Sequence, residues 1–255
     1  MSFQLGIDIG GTFTDVVLLD EKNEKLTFGK TLTTYGDPTD GIVSGIQQVL
    51  SDNHVSGKDI RRVLHGTTLV TNAIIERKGA KTGLITTKGF EDVLEIGREL
   101  RYDIYDLNIT MPKPLVPRNL RVGVSERVDK QGNIIHSLNQ SDVENSVQKL
   151  VDQGVEAIAI CYMFGFMNPI HEQETAQYIQ SNFPDVYVSV SSEIMPEIRE
   201  YERTSATAMN AFVQPLTHTY LSRLKTRLNE MDITGVINIM LSSGRLTTLE
   251  GAKQS

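Results

Sequence analysis

Apolar positions come in short clusters punctuated by Gly, Pro and charged residues, and their spacing changes along the chain. Gln4–Asp8 is a mostly apolar run, a Gly-Gly turn follows, and Thr14–Leu19 is a second run. A third spans Lys25–Thr33, and three strands this close predict a meander. Asp37-Pro38 then pairs an N-cap residue with a proline at the first helical position, and Ile42, Val43, Ile46, Val49 and Leu50 follow at helical spacing. From there strands and helices alternate. Strands are predicted at Arg62–His65, Thr82–Thr86, Ala157–Cys161, Val186–Val190 and Val236–Met240. Helices are predicted at Thr68–Arg77, after a cap at Asn139, at Pro169–Gln180, at Glu200–Phe212 and at Pro215–Glu230. Val122–Val128 and Ile134–His136 read as a hairpin, and residues 103–120, with Pro112, Pro114 and Pro117, as an extended irregular segment. The alternation predicts an α/β fold with a largely parallel sheet behind the opening meander.

Composition narrows the function classes. The 255 residues carry 25 Lys and Arg against 32 Asp and Glu, a net charge of −7. Nucleic acid and anionic membrane favour a basic excess, so neither is expected as a partner. A single cysteine, Cys161, excludes an intrachain disulfide and a cysteine-built zinc cage, and its apolar strand suits a packed core thiol better than a nucleophile. The first 30 residues lack the features of a signal peptide, and no apolar run reaches membrane-spanning length, so a cytoplasmic protein is expected.

The sharpest motif is Asp8-Ile-Gly-Gly-Thr-Phe-Thr-Asp15. Gly10 and Gly11 make a turn whose backbone can approach an anion closely, and Thr12 and Thr14 add hydroxyl donors. Asp8 and Asp15 would repel a phosphate unless a cation lay between, which suits a Mg²⁺ ion held through water. A plain hairpin with a Gly-Gly turn is the bland alternative, and the Asp-x-Gly-Gly-Thr setting between two strands favours the phosphate turn. Gly29-Lys30-Thr31 imitates the end of a P-loop, but Glu24 stands where its first glycine belongs and the segment reads as a strand.

A second constellation is His65-Gly-Thr-Thr-Leu-Val-Thr-Asn72, which puts an imidazole and the polar groups of Thr67, Thr68 and Asn72 where a strand ends and a helix starts. His65 fits either a ligand-facing or a core histidine. Arg98 and Arg101 lie beside tyrosines and a proline-rich segment, and fit either a carboxylate grip or a solvated helix end. The alternating charges of Glu197–Thr204 read as a solvent face.

Taken in series, the motifs resemble the N-terminal part of the hydantoinase A/5-oxoprolinase family, which includes ATP-using subunits of acetone and acetophenone carboxylases. The residues that carry the resemblance are Asp8–Asp15, His65–Ala73, Gly89–Arg98, Tyr105–Leu107, Pro114–Arg118 and Glu200–Ser205, in that order. One departure is Cys161–Pro169, where family members carry a Leu-His-Ser-Tyr-like stretch; if that segment lines the substrate site, substrate choice stays open.

The resemblance implies an actin-like, sugar-kinase-like ATPase lobe of ribonuclease-H type, a mixed sheet with an opening antiparallel meander and helices on both faces. It implies residues 1–190 as an N-terminal domain and 191–255 as the start of a second, truncated one. Asp8, Asp15 and His65 would be catalytic, with Gly10, Gly11, Thr12 and Thr14 binding ATP and Asp8 and Asp15 serving Mg²⁺. Thr67, Thr68, Asn72, Arg98 and Arg101 would face a cyclic amide or ketone. A second phosphate loop, expected of the family, is not found, so a partner lobe or hydantoinase B-like subunit is expected. A non-catalytic assembly subunit, a ketone carboxylase subunit and a sugar kinase are the alternatives.

Overall fold

The structure, a computed structural model, describes residues 3–34, 36–98, 103–241 and 243–254. In chain order the first elements are β1 (Phe3–Ile9), β2 (Phe13–Asp20), β3 (Lys25–Leu32), α1 (Pro38–Asp52), β4 (Ile60–Thr67) and α2 (Leu69–Ile75). Then come β5 (Thr82–Thr87), α3 (Val93–Ile96), β6 (Arg121–Val124), β7 (Arg127–Val128), β8 (Ile134–His136), α4 (Gln140–Asp152) and β9 (Ala157–Cys161). The remainder is α5 (Ile170–Asn182), β10 (Tyr187–Val190), α6 (Ser191–Ile194), α7 (Glu200–Glu230), β11 (Val236–Met240), β12 (Leu246–Thr248) and α8 (Leu249–Gln254). These divide into two compact units, one of Met1–Lys78 with Leu216–Ser255 and one of Gly79–Pro215.

The first unit is built on a six-stranded mixed sheet of order β12-β11-β4-β1-β2-β3. The expected meander is there, with β1, β2 and β3 antiparallel in sequence. Burial alternates along β1 and β2 because one sheet face packs on helices and the other does not. On the packed face Leu5, Ile7, Val16, Ile42, Ile46 and Leu221 form the core. Helix α1 starts as its sequence predicts: Asp37 caps it by accepting from the Thr39 N–H at 2.9 Å, and Pro38 follows. It approaches the sheet closely because Gly29 has no side chain; a Cβ there would lie 2.4 Å from Val49 Cγ2. Helices were expected on both faces, but the opposite face leaves Leu26, Phe28 and Leu32 at 52%, 71% and 67% exposure. Their alternation along an edge strand puts them on the side away from α1.

The second unit carries a four-stranded parallel sheet of order β10-β9-β5-β6. Strands β5 and β9 are buried along their whole length, as continuous apolar strands covered on both faces should be. The strands predicted to form one largely parallel sheet behind the meander are therefore divided: β4 and β11 pair parallel within the meander's sheet, and β5, β6, β9 and β10 form the second. The predicted hairpin strand from Val122 splits in two: β6 joins the parallel sheet, and only β7 pairs with β8. The two helices predicted around Pro215 are one helix of 31 residues with the proline inside. Proline removes one backbone donor. Ala211 and Phe212 are buried before it and Tyr220 and Leu221 after it, and this packing keeps the helical path.

Candidate functional site

The Gly10–Thr12 turn is closed by the Gly10 N–H donating to Phe13 O at 2.9 Å. It is braced from β3's end: the Thr33 hydroxyl donates to Gly10 O at 2.9 Å and lies 3.1 Å from the Thr14 hydroxyl. Thr14 is fully buried, so it holds the turn from below, whereas Gly11 and Thr12 are exposed at the tip. A Cβ placed on Gly11 would meet only the Asn72 side-chain amide, at 3.9 Å, so the space over the tip is open.

Strand register sets the charges beside this turn. Asp8 pairs with Gly66 on one side and with Asp15 on the other, and Asp15 pairs with Lys30. The four residues form one row across β4, β1, β2 and β3. The Lys30 ammonium donates to Asp15 Oδ1 at 2.9 Å, on the surface. Lys30 thus offsets one of two carboxylates that stand directly opposite each other, which leaves net negative charge that favours a bound cation. Gly66 leaves room for the Asp8 carboxylate; a Cβ there would lie 3.2 Å from Asp8 Oδ1. Among the described residues no group of three or more His, Cys, Asp or Glu is placed to hold a metal. Two hard carboxylate oxygen donors fit Mg²⁺, which keeps most of its waters, and do not fit a metal that needs a full protein cage.

The start of α2 folds over the same end of the sheet. Thr68 donates to Ile9 O at 3.3 Å through both its N–H and its hydroxyl, and the Asn72 amide donates to the Thr68 hydroxyl at 3.3 Å. Thr67 accepts from the Leu69 N–H at 3.1 Å. Gly10, Gly11, Thr12, Thr14, Asp8, Asp15, Thr67, Thr68 and Asn72 are therefore gathered at one sheet end.

Of the two settings open to His65, the structure shows the core one and not the catalytic one that the resemblance implied. It lies in the core of the first unit at 0% exposure, with Nδ1–H donating to Ile7 O at 3.3 Å and Nε2 accepting from the Tyr220 hydroxyl at 2.7 Å. The side-chain alternation of β4 turns it inward, and with both ring nitrogens occupied it presents no group to a ligand. Burial pulls its pKa down to about 4, so the imidazole is neutral. Arg98 pairs with Glu202 on the surface of the second unit, a solvated helix end, and Arg101 lies outside the described residues.

Several structural partners had no clear sequence signal. Lys30 follows from the meander register once the Gly-Gly turn is fixed, but Thr33 and Tyr220 are set by the tertiary fold. The charged Glu197–Thr204 segment is not uniformly a solvent face: Arg203 and Thr204 are each 2% exposed. Cys161 is buried, as expected, and its thiol is pushed up by burial.

A family model described as the hydantoinase/oxoprolinase N-terminal region matches residues 4–183, and a hydantoinase/oxoprolinase model matches residues 203–255. An uncharacterised protein of Methanocaldococcus jannaschii is 37% identical over 100% of this chain and 37% of its own length. Caprolactamase subunit alpha of Pseudomonas jessenii is 34% identical over 96% of this chain and 36% of its own length. The chain thus spans little more than a third of these relatives. The crystal structure of the ATP-dependent caprolactamase from Pseudomonas jessenii superimposes with a TM-score of 0.88 at 33% identity, covering 95% of this chain and 36% of that one. A nucleotide-free acetone carboxylase shares the fold, with a TM-score of 0.86 at 24% identity over 98% of this chain and 37% of that one. Among the described residues no helix is long and apolar enough to cross a membrane.

Proposed function

Because the chain belongs to the hydantoinase/oxoprolinase family, we propose that its Asp8–Asp15 turn holds the phosphates of Mg-ATP in an actin-like ATPase lobe. The observation that carries this proposal is the cross-strand row of Gly66, Asp8, Asp15 and Lys30 beside an open glycine tip. Asp8 and Asp15 would hold Mg²⁺ through water, and the ion would offset phosphate charge. The backbone at Gly11 and Thr12 and the Asn72 amide supply neutral donors for phosphate oxygens. Thr14, Thr33 and Thr68 keep that tip in place, and Lys30 balances Asp15. His65 is a positioning residue here: it ties β1 to the helix that carries Tyr220 and stays neutral at physiological pH.

ATP bound at such a turn would supply a phosphoryl group to an amide or carbonyl oxygen, making a stable group reactive. The ATP-dependent caprolactamase likeness supports a cyclic amide as the substrate class. The relative's designation as a subunit alpha supports work with a partner subunit. The chain is about a third of its relatives in length, so the complete reaction is assigned only to the assembled enzyme.

The test is calorimetric titration of Mg-ATP into the wild type, Gly11→Val and Asp8→Asn. A β-branched side chain at Gly11 fills the open tip and blocks close backbone approach, so binding should weaken at least about tenfold, roughly 1.4 kcal/mol. Unchanged affinity in both variants would remove the phosphate-turn assignment.

A further inference from the structure

Strand β3 forms one edge of the first unit's sheet. The Thr33 N–H donates to Thr12 O at 2.9 Å, so Thr12 and Thr33 are a hydrogen-bonded pair. Such pairs alternate along an antiparallel ladder. The register therefore turns the backbone groups of Lys25, Thr27, Gly29 and Thr31 toward β2, and those of Leu26, Phe28, Lys30 and Leu32 outward. Among the described residues, no backbone group meets the outward N–H and C=O of Leu26, Phe28 and Lys30. The strand has eight residues, no proline and no buried position. An edge like this is open to pairing with another strand.

The side chains along the edge select which strand fits. Leu26, Phe28 and Lys30 share the open face of the sheet, and Glu24 precedes them by the same spacing, exposed at the end of the turn before β3. In chain order the row reads acid, apolar, apolar, base, so reversed it is its own complement. Antiparallel pairing of two β3 strands about Thr27 sets Leu26 against the partner's Phe28 and Glu24 against the partner's Lys30. Two-fold symmetry repeats both pairs. The same register brings the outward backbone groups of Leu26 and Phe28 together across the axis. Pairing about Lys25 or about Lys30 would put like charges opposite each other. Pairing about Phe28 or Gly29 would set Lys30 against an apolar residue and leave Glu24 unmatched.

We propose that β3 pairs antiparallel with β3 of a second copy of this chain, which joins two six-stranded sheets into one continuous sheet. An unrelated strand could use the bare backbone, but only a second copy supplies the matching row from its own sequence. Phe28 is 71% exposed and Leu26 52%, and the pairing brings two of each together at the axis. Lys30 already donates to Asp15 Oδ1 at 2.9 Å; an ammonium has three donors and can serve the second carboxylate as well. On the α1 side, Lys25 and Thr27 line a cavity of about 410 Å³, so the edge is not covered there. The contact is small beside the roughly 1,200–2,000 Å² of stable complexes, and the dimer therefore exchanges with monomer. All of these residues lie in the first unit, and the pairing does not rest on nucleotide binding.

Sedimentation velocity of the full 255-residue chain, over roughly 1–200 μM, tests the pairing. A reversible monomer–dimer equilibrium is expected. It should weaken at least about tenfold in Glu24→Lys, which sets a lysine opposite the partner's Lys30, and in Phe28→Lys, which puts a charge into the apolar centre. Both positions are exposed, so the far-ultraviolet circular dichroism of these variants should match the wild type. Thr27→Cys reads the register. Thr27 faces its own copy in a non-hydrogen-bonded pair, with Cα atoms about 4.5 Å apart and within disulfide reach. Cys161 is buried and does not compete. Mild oxidation should give a covalent dimer of Thr27→Cys and far less of Leu26→Cys. A chain that stays monomeric throughout leaves the edge to some other polypeptide and overturns the proposal. Self-association unchanged in both lysine variants, or equal cross-linking of the two cysteine variants, overturns it as well.

Discussion

The neutral, fully enclosed His65 makes a quantitative statement about acid stability. Unfolded, its imidazole titrates near the ordinary value of 6.5; folded, burial lowers that to about 4, against a smaller opposing effect of the Ile7 carbonyl. Between these values the unfolded chain binds more protons, so stability falls as pH falls. The contribution is fully present above pH 6.5, is lost progressively toward pH 4, and changes no further below it. The difference of about 2.5 units at 1.36 kcal/mol each gives a loss of roughly 3 kcal/mol. The perturbation is His65→Gln, whose amide keeps a donor for Ile7 O and an acceptor for the Tyr220 hydroxyl but does not titrate. Urea denaturation of both proteins from pH 7.5 to 4 is the assay, and carboxylate titrations common to both cancel in the difference. The wild type should lose about 3 kcal/mol more than the variant across that range. Parallel profiles, or a His65 imidazole resonance that titrates near 6.5 in the native protein, would show that burial does not hold His65 neutral.

Other outcomes follow from single contacts. Gly57→Ala should destabilise by about 2 kcal/mol or more, because its Cβ would fall 2.0 Å from the backbone oxygen of Met231; the thermal midpoint reads this out. Asp37→Ala removes the α1 cap and should cost about 1 kcal/mol by urea denaturation. Tyr220→Phe leaves His65 Nε2 buried without its donor and should cost about 1–3 kcal/mol in the same assay, while Mg-ATP affinity stays within about twofold of wild type.

How far the sequence reached depended on the range of the interactions involved. The meander and the α1 cap are local: a Gly-Gly turn sets the pairing of Asp8 with Asp15, and Asp37-Pro38 marks a helix start within two residues. The phosphate-turn candidates cluster for the same reason. His65 was harder, since a strand's inward or outward phase at one residue depends on what packs against it, and its partner Tyr220 is 155 residues away. The single helix through Pro215 exceeds local propensity because packing flanks the proline on both sides. Arg203 hid in an alternating-charge pattern that favours solvent, and only the tertiary fold turns that one side chain inward. The division into two sheets was also out of local reach, because the first is completed by strands at Val236–Met240 and Leu246–Thr248.

The central claim is that the Gly10–Thr12 tip, with Asp8 and Asp15 beside it, receives nucleotide phosphates. Backbone amide NMR of the 255-residue chain, titrated with a non-hydrolysable ATP analogue with and without Mg²⁺, tests this most directly. The largest shifts should fall on Gly10, Gly11, Thr12 and the Asn72 side-chain amide, and they should strengthen when Mg²⁺ is added. Shifts confined to other surfaces while these four signals stay fixed, or responses that ignore Mg²⁺, would contradict it.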